Sequence, residues 1–211
     1  MDCRGRGRST WDDARITYEL MAADALALLD VLAIDKTDFV GWGDGAIIGL
    51  ELAVNDPERL ERAVIYGANF TPDGFHMPTS SDQLPPIEKF IADYQRLSPA
   101  TERFDELTAQ LDALYLVAPN FSEDELKSIT VPVLILEGAF DAATAPEWVD
   151  LITPALANVQ VVSFPFTGHS VLGKSTCALS SARSETTRTT ANGAPKSAQT
   201  CATPSCTPRR A

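Results

Sequence analysis

Residues 38–52, DFVGWGDGAIIGLEL, constrain the fold more than any other stretch of the chain. An apolar, strand-like segment runs through glycines at 41, 43 and 45 into an amphipathic segment. Glycine lacks a Cβ, so it adopts backbone conformations closed to other residues and lets two main chains approach closely. Glycines alternating at such a junction read as a strand turning sharply into a helix that packs back along it. The rest of the chain repeats the theme. "ERAVIYGAN", "VPVLILEG" and "VQVVSFP" read as further strands, "GAIIGLELAVN" as a helix, and Ala145 to Leu156 as another. Ile16, Leu20, Ala23, Ala27 and Val31 recur at i+3 and i+4, which predicts a helix from about Asp13 to Ala33. The strand segments are near-continuous apolar runs, as parallel strands covered on both faces require. Their alternation with helices predicts a doubly wound α/β sheet with flanking helices.

Two segments differ in texture. Thr71 to Ser128 carries Pro72, Pro78, Pro85 and Pro86, then the helical stretches "IEKFIADYQRL" and "FDELTAQLDALYLV". That is long for a connection, and long insertions in compact domains are usually functional, so a small helical cap over an apolar pocket is expected. From Lys174 to Ala211 there is one Leu, no aromatic residue, no Val or Ile, and one acidic residue against six basic ones. Such a segment cannot bury enough apolar surface to offset its ordering entropy, so 174–211 is expected to be a disordered, basic, Ser/Thr-rich tail. Cys177, Cys201 and Cys206 lie in it, without the close pairing of a zinc site. Residues 1–173 are expected to form one partial α/β domain.

The formal net charge of −12 argues against nucleic acid as a partner, because binding a phosphate backbone needs Lys and Arg to neutralise it. No run approaches the roughly 18 apolar residues of a membrane span, and the basic start MDCRGRGRSTWDD leads into no apolar signal region. A soluble, cytoplasmic protein acting on a small molecule is the expectation.

The turn at 41–45 has the shape of a nucleophile elbow, G-x-Nuc-x-G, in which a nucleophile sits on a strained strand-to-helix turn. With Gly41 and Gly45 in the two small positions, Gly43 falls in the nucleophile slot. The alternative register makes Asp44 the nucleophile but puts Trp42 in the preceding small position, where an indole has no room. Other catalytic groups follow in the order this fold uses: Asp141 just past "VPVLIL" and His169 just past "VQVVSF". The chain has two histidines, so a general base is His169 or His76, and His76 falls in the expected cap. An Asp after one strand and a His after the next are the paired positions of a triad remnant.

The resemblance follows from these residues. DCRGRGRS is similar to the D-x-R-G-x-G-x-S loop of α/β hydrolases, and GWGDGA and IYGAN resemble the G-W-S-D-G-G and W-G-A-N segments of the valacyclovir-hydrolase (biphenyl-hydrolase-like) group. The likeness spans about residues 2 to 173. It implies a serine nucleophile where Gly43 stands, Asp141 and His169 as its partners, Trp42 and Asp44 on the substrate, and Asp44 against a substrate ammonium. Asp44 can equally be read as a carboxylate favoured by the helix dipole.

Gly43 has no side chain, so the usual acyl-enzyme chemistry is closed to it. The chain also begins where the family's fourth strand ends, which leaves "DFVGW" as an expected exposed sheet edge and suggests a gene fragment, truncated at the front and altered at the back. The expected function is ancestral hydrolysis of an ester, lactone or related acyl bond, impaired or lost. A non-enzymatic binding module and a dehalogenase-like use of Asp44 are the alternatives. Hydrolysis of this kind needs no organic cofactor or metal, and none is expected.

Overall fold

The computed structural model describes residues 1–76, 87–144, 148–150, 153–165 and 167–169. Four strands, β1 (Thr37–Trp42), β2 (Leu60–Tyr66), β3 (Val133–Gly138) and β4 (Val159–Phe164), form one parallel sheet in the order β1-β2-β3-β4. The register places Trp42 beside Tyr66, Tyr66 beside Leu136, and Leu136 beside Val162. The alternating pattern thus gives a parallel α/β fold, as expected. It is not doubly wound among the described residues, because each connection steps in the same direction and the strand order never reverses.

Helices α1 (Tyr18–Val31), α2 (Asp44–Asn55), α3 (Ile87–Leu97), α4 (Phe104–Tyr115) and α5 (Glu123–Ser128) accompany the sheet. Helix α2 lies against β1 and β2, with α1 and α5 alongside it. Leu50, Leu52, Ile65 and Ile135 are fully or almost fully buried in the resulting core. Each such side chain stabilises the fold by about 1.5–3 kcal/mol relative to exposure. The second face of the sheet is open at β1, where Asp38, Val40 and Trp42 point outward and Val40 is 77% exposed. The expectation of strands covered on both faces fails there, since α1 and α2 attend only the face carrying Phe39 and Gly41.

Helix α1 is shorter than expected and turned. It starts after Thr17, whose extended backbone and side-chain oxygen cap the Leu20 amide at 3.2 Å. Its buried residues are Tyr18, Met21 and Ala22, whereas Ala23, Ala27 and Val31 of the expected stripe are exposed. The helix is rich in Ala and Leu all round, so apolar spacing alone does not choose the face. Ile16 still reaches the core, from the loop before the helix, where its amide donates to Gln110 Oε1 at 2.8 Å.

Between β2 and β3, α3, α4 and α5 join the same core through Tyr94, Leu107, Leu114 and Leu126. The short α5, not anticipated from sequence, begins with a capping box. Ser122 Oγ accepts from the Glu125 amide, and Glu125 Oε2 accepts from the Ser122 amide. Pro78, Pro85 and Pro86, the tail 174–211, and parts of the helix expected over Ala145–Leu156 lie outside the described residues. Within that helix, 148–150 are helical and Thr153–Ala155 form a 3-10 turn. No described helix is long and apolar enough to cross a membrane.

Candidate active site

Each strand ends in a residue or turn that builds the site. After β1, Gly43 stands at φ 56° and ψ −123°, a left-handed-side conformation that costs a side-chain-bearing residue strain. Its amide still donates to the Tyr66 carbonyl at 3.0 Å, while its own carbonyl accepts from Ala46 and Ile47 to open α2. A Cβ built on Gly43 has His169 Nε2 as its neighbour, 3.5 Å away. Close strand–helix approach rests on Gly41, where a Cβ lands 2.2 Å from the Gly45 carbonyl oxygen. Gly45 itself has nothing within 4 Å of a built Cβ, so the steric demand is one-sided.

Asp141 follows β3 in a turn closed by its amide on the Gly138 carbonyl, at 2.9 Å. Its Oδ1 accepts from the amides of Ala143 and Thr144, each at 2.9 Å, and its Oδ2 from the Thr144 hydroxyl at 2.8 Å. The carboxylate also meets His169 Nδ1, 3.0 Å from Oδ2 and 3.2 Å from Oδ1. Burial pushes the Asp141 carboxyl up, but the hydrogen bond and charge of His169, with the Thr144 donors, outweigh it and hold it below the usual range. Ionised Asp141 fixes the hydrogen on Nδ1, which leaves Nε2 facing Gly43 as an acceptor. Both side chains are buried.

The histidine loop is pinned from two adjacent strands. Trp42 Nε1 donates to the His169 carbonyl at 2.8 Å, and its ring lies tilted 5.7 Å from the imidazole. The Tyr66 hydroxyl donates to the Gly168 carbonyl. Burial, reinforced by the Asp141 charge, raises the Tyr66 pKa well above the usual phenol range, which keeps that hydroxyl a donor. The indole N–H of Trp42 is thus spent on His169. Tyr66 had no assigned role in the sequence, although its place at a strand end before a glycine was visible there.

Asp44 opens α2, and the first amide of a helix has no carbonyl partner inside it. Its carboxylate is held from three elements: Arg6 Nη2 at 2.6 Å and the Tyr115 hydroxyl at 3.0 Å on Oδ2, and the Tyr18 hydroxyl at 3.0 Å on Oδ1. Burial lowers the Arg6 pKa, but the charge of Asp44, with smaller help from Tyr115 and Cys3, more than restores it, so the guanidinium stays charged. Arg4 of the same loop grips Asp24 on α1 with two bonds of 2.7 Å, and Asp2 accepts from the Arg8 amide at 2.9 Å. The spaced polar residues of DCRGRGRS therefore fasten this loop to α1 and to the elbow.

His76 stands apart. Its side chain is exposed, and its backbone amide donates to the Ala143 carbonyl at 2.9 Å, beside a bridge between Phe75 and Thr144. Phe75 also stacks at 5.5 Å on Tyr115, so the start of the inserted segment touches both the Asp141 turn and α4. Cavities open beside the N-terminal loop, around Arg4, Trp11 and Asp24, and at the base of the sheet, around Lys36, Leu60 and Val131. Neither is lined by Gly43, Asp141 or His169, and the apolar pocket expected over the elbow is neither of these. Among the described residues, no group of His, Cys, Asp and Glu is placed to hold a metal ion.

The positive-φ turn between β1 and α2 is thus faced by a buried His–Asp pair whose members follow β4 and β3. The model for the alpha/beta hydrolase family fits residues 1–176. The chain belongs to the alpha/beta hydrolase family. The pimeloyl-[acyl-carrier protein] methyl ester esterase of Citrobacter koseri is 26% identical over 197 residues, covering 80% of this chain and 75% of that protein. The serine hydrolase BPHL of Homo sapiens is 37% identical over 71 residues, 32% of this chain and 24% of that one, a partial likeness. Among solved structures, the enol-lactonase of Burkholderia xenovorans superposes with a TM-score of 0.58 at 21% identity, covering 81% of this chain and 73% of that one. The last likeness is one of fold.

Proposed function

We propose that this family member binds an ester, lactone or related acyl compound of small size and hydrolyses it slowly. Water takes the place of a serine at Gly43, and the segment 71–128 serves as a cap. The observation that carries this reading is the elbow backbone at Gly43 with His169 Nε2 3.5 Å from the position of its missing Cβ. His169 Nε2 takes a proton from the water as its oxygen attacks the acyl carbonyl, and the resulting oxyanion faces the Asp44 amide. On collapse, the bond to the leaving group breaks and the leaving group takes the proton back from Nε2. Asp141 keeps the ring in the right tautomer and balances the imidazolium. General-base assistance of this kind gives about 10²- to 10⁴-fold over water, so the rates are low.

The nearest competing reading is a binding protein with no turnover, which the absent side chain at Gly43 favours. A dehalogenase-like role for Asp44 has less support, because Gly43 rather than Asp44 takes the elbow conformation and the Asp44 carboxylate already accepts from three donors. A cytoplasmic location, descent from an active hydrolase and a small-molecule substrate or ligand belong to the same proposal. The test is hydrolysis of a 4-nitrophenyl ester. His169→Ala and Asp141→Ala should each remove the activity, and His76→Ala should spare it. Unchanged hydrolysis in His169→Ala contradicts the mechanism.

A further inference from the structure

The resemblance to the valacyclovir-hydrolase group implies that Asp44 meets a substrate ammonium, yet in the fold its carboxylate is closed. An ionised carboxylate offers about four acceptor directions, and Arg6, Tyr115 and Tyr18 occupy three of them at 2.6, 3.0 and 3.0 Å. The pair is half-buried, with side-chain exposures of 27% for Arg6 and 25% for Asp44, so water screens it only in part. A ligand ammonium at Asp44 must either displace Arg6 or sit beside a second fixed positive charge. Displacement is opposed by the way Arg6 is held, because its Nη1 also donates to Met21 Sδ at 3.7 Å and its loop is fastened to α1 by Arg4. The three donors come from the N-terminal loop, from α1 and from α4, so the closed carboxylate also ties the inserted helical segment to the elbow.

We infer that Arg6 is a specificity-determining residue: by closing Asp44 into an ion pair beside the elbow, it adapts the site to acyl groups that carry no ammonium and turns aminoacyl compounds away. This rests on the reading of the elbow as an acyl site, and it names the substrate class of that site as uncharged at the α-carbon. No covalent step is involved, so binding rather than turnover is the measure.

The test uses two hydrolytically inert amides that differ by one ammonium group, N-benzylisovaleramide and N-benzylvalinamide, titrated calorimetrically into the full chain. The unmodified chain should bind the neutral amide at least tenfold more tightly than the cationic one. Arg6→Gln should bring valinamide binding to parity or better while changing the neutral ligand by less than about threefold, and adding Asp44→Asn to that variant should remove the gain. Asp44→Asn alone, which is nearly isosteric and leaves Arg6 charged, should keep the tenfold preference and thus serves even where Arg6→Gln fails to fold. Tighter or equal binding of valinamide by the unmodified chain overturns the inference, as does a preference that Arg6→Gln leaves unaltered. Failure to bind either amide overturns it too. Because no turnover is read, a chain that discriminates but never hydrolyses keeps this inference and loses the hydrolytic one, and a chain that hydrolyses without discriminating does the reverse.

Discussion

At the scale of single residues, the geometry turns on where a Cβ can and cannot stand. Gly41→Ala puts a carbon 2.2 Å from the Gly45 carbonyl oxygen, a clash with backbone that no rotamer relieves. It should cost about 3 kcal/mol, the upper part of the range for overpacking, read as a drop in the urea midpoint with the slope unchanged. Gly67 stands at φ 62°, and a Cβ there meets His169 Cε1 at 2.9 Å and Nδ1 at 3.0 Å. Gly67→Ala should therefore push the imidazole off Asp141. The Nδ1–H proton resonance, expected far downfield in the unmodified chain, should weaken or vanish, and an unshifted resonance contradicts the assigned contact. Glycine spacing and strand ends in the sequence singled out Gly43, Asp141 and His169, and the fold brings these three residues together. The company of Asp44 was not legible. Arg6, Tyr18 and Tyr115 lie 38, 26 and 71 residues from it, and no local pattern announces a meeting at such separations.

At the scale of elements, the sequence located the strands well and misjudged the face of α1. Strands sit on apolar runs bounded by turns, and such boundaries are local. The face of an Ala- and Leu-rich helix is settled by what packs on it, here α2, and by the cap at Thr17. One element-level consequence is measurable. Glu51 on α2 is partly buried, and that burial, with the like charges of Glu19 and Glu125, raises its pKa from 4.5 to about 7. The folded state therefore holds the proton more tightly than the unfolded chain does. Its contribution to stability is full below pH 4.5 and is lost as pH rises through about 7. Glu51→Gln should remove that loss. After allowance for solvent screening of a partly exposed group, the variant should gain about 1 kcal/mol at pH 8, or about 2–4 °C in Tm. The gain should disappear near pH 4.5, and a gain independent of pH contradicts the assignment.

At the scale of the whole molecule, four parallel strands in sequential order bring Gly43, Asp141 and His169, far apart in the chain, to the carboxyl ends of one sheet. Parallel order and carboxyl-edge placement followed from the α/β alternation. The single direction of winding and the open face at β1 did not, because apolar content in a strand reports that a face can be covered and not what covers it. The central claim is that this scaffold presents an elbow whose nucleophile position is Gly43. Rapid mixing with a 4-nitrophenyl ester tests it most directly. The unmodified chain should show no burst of 4-nitrophenolate. Gly43→Ser, whose Cβ has room and whose hydroxyl comes within reach of His169 Nε2, should show a burst stoichiometric with the chain and an acyl adduct on residue 43 by mass spectrometry. A stoichiometric burst from the unmodified chain, with the adduct on Asp44, contradicts the account.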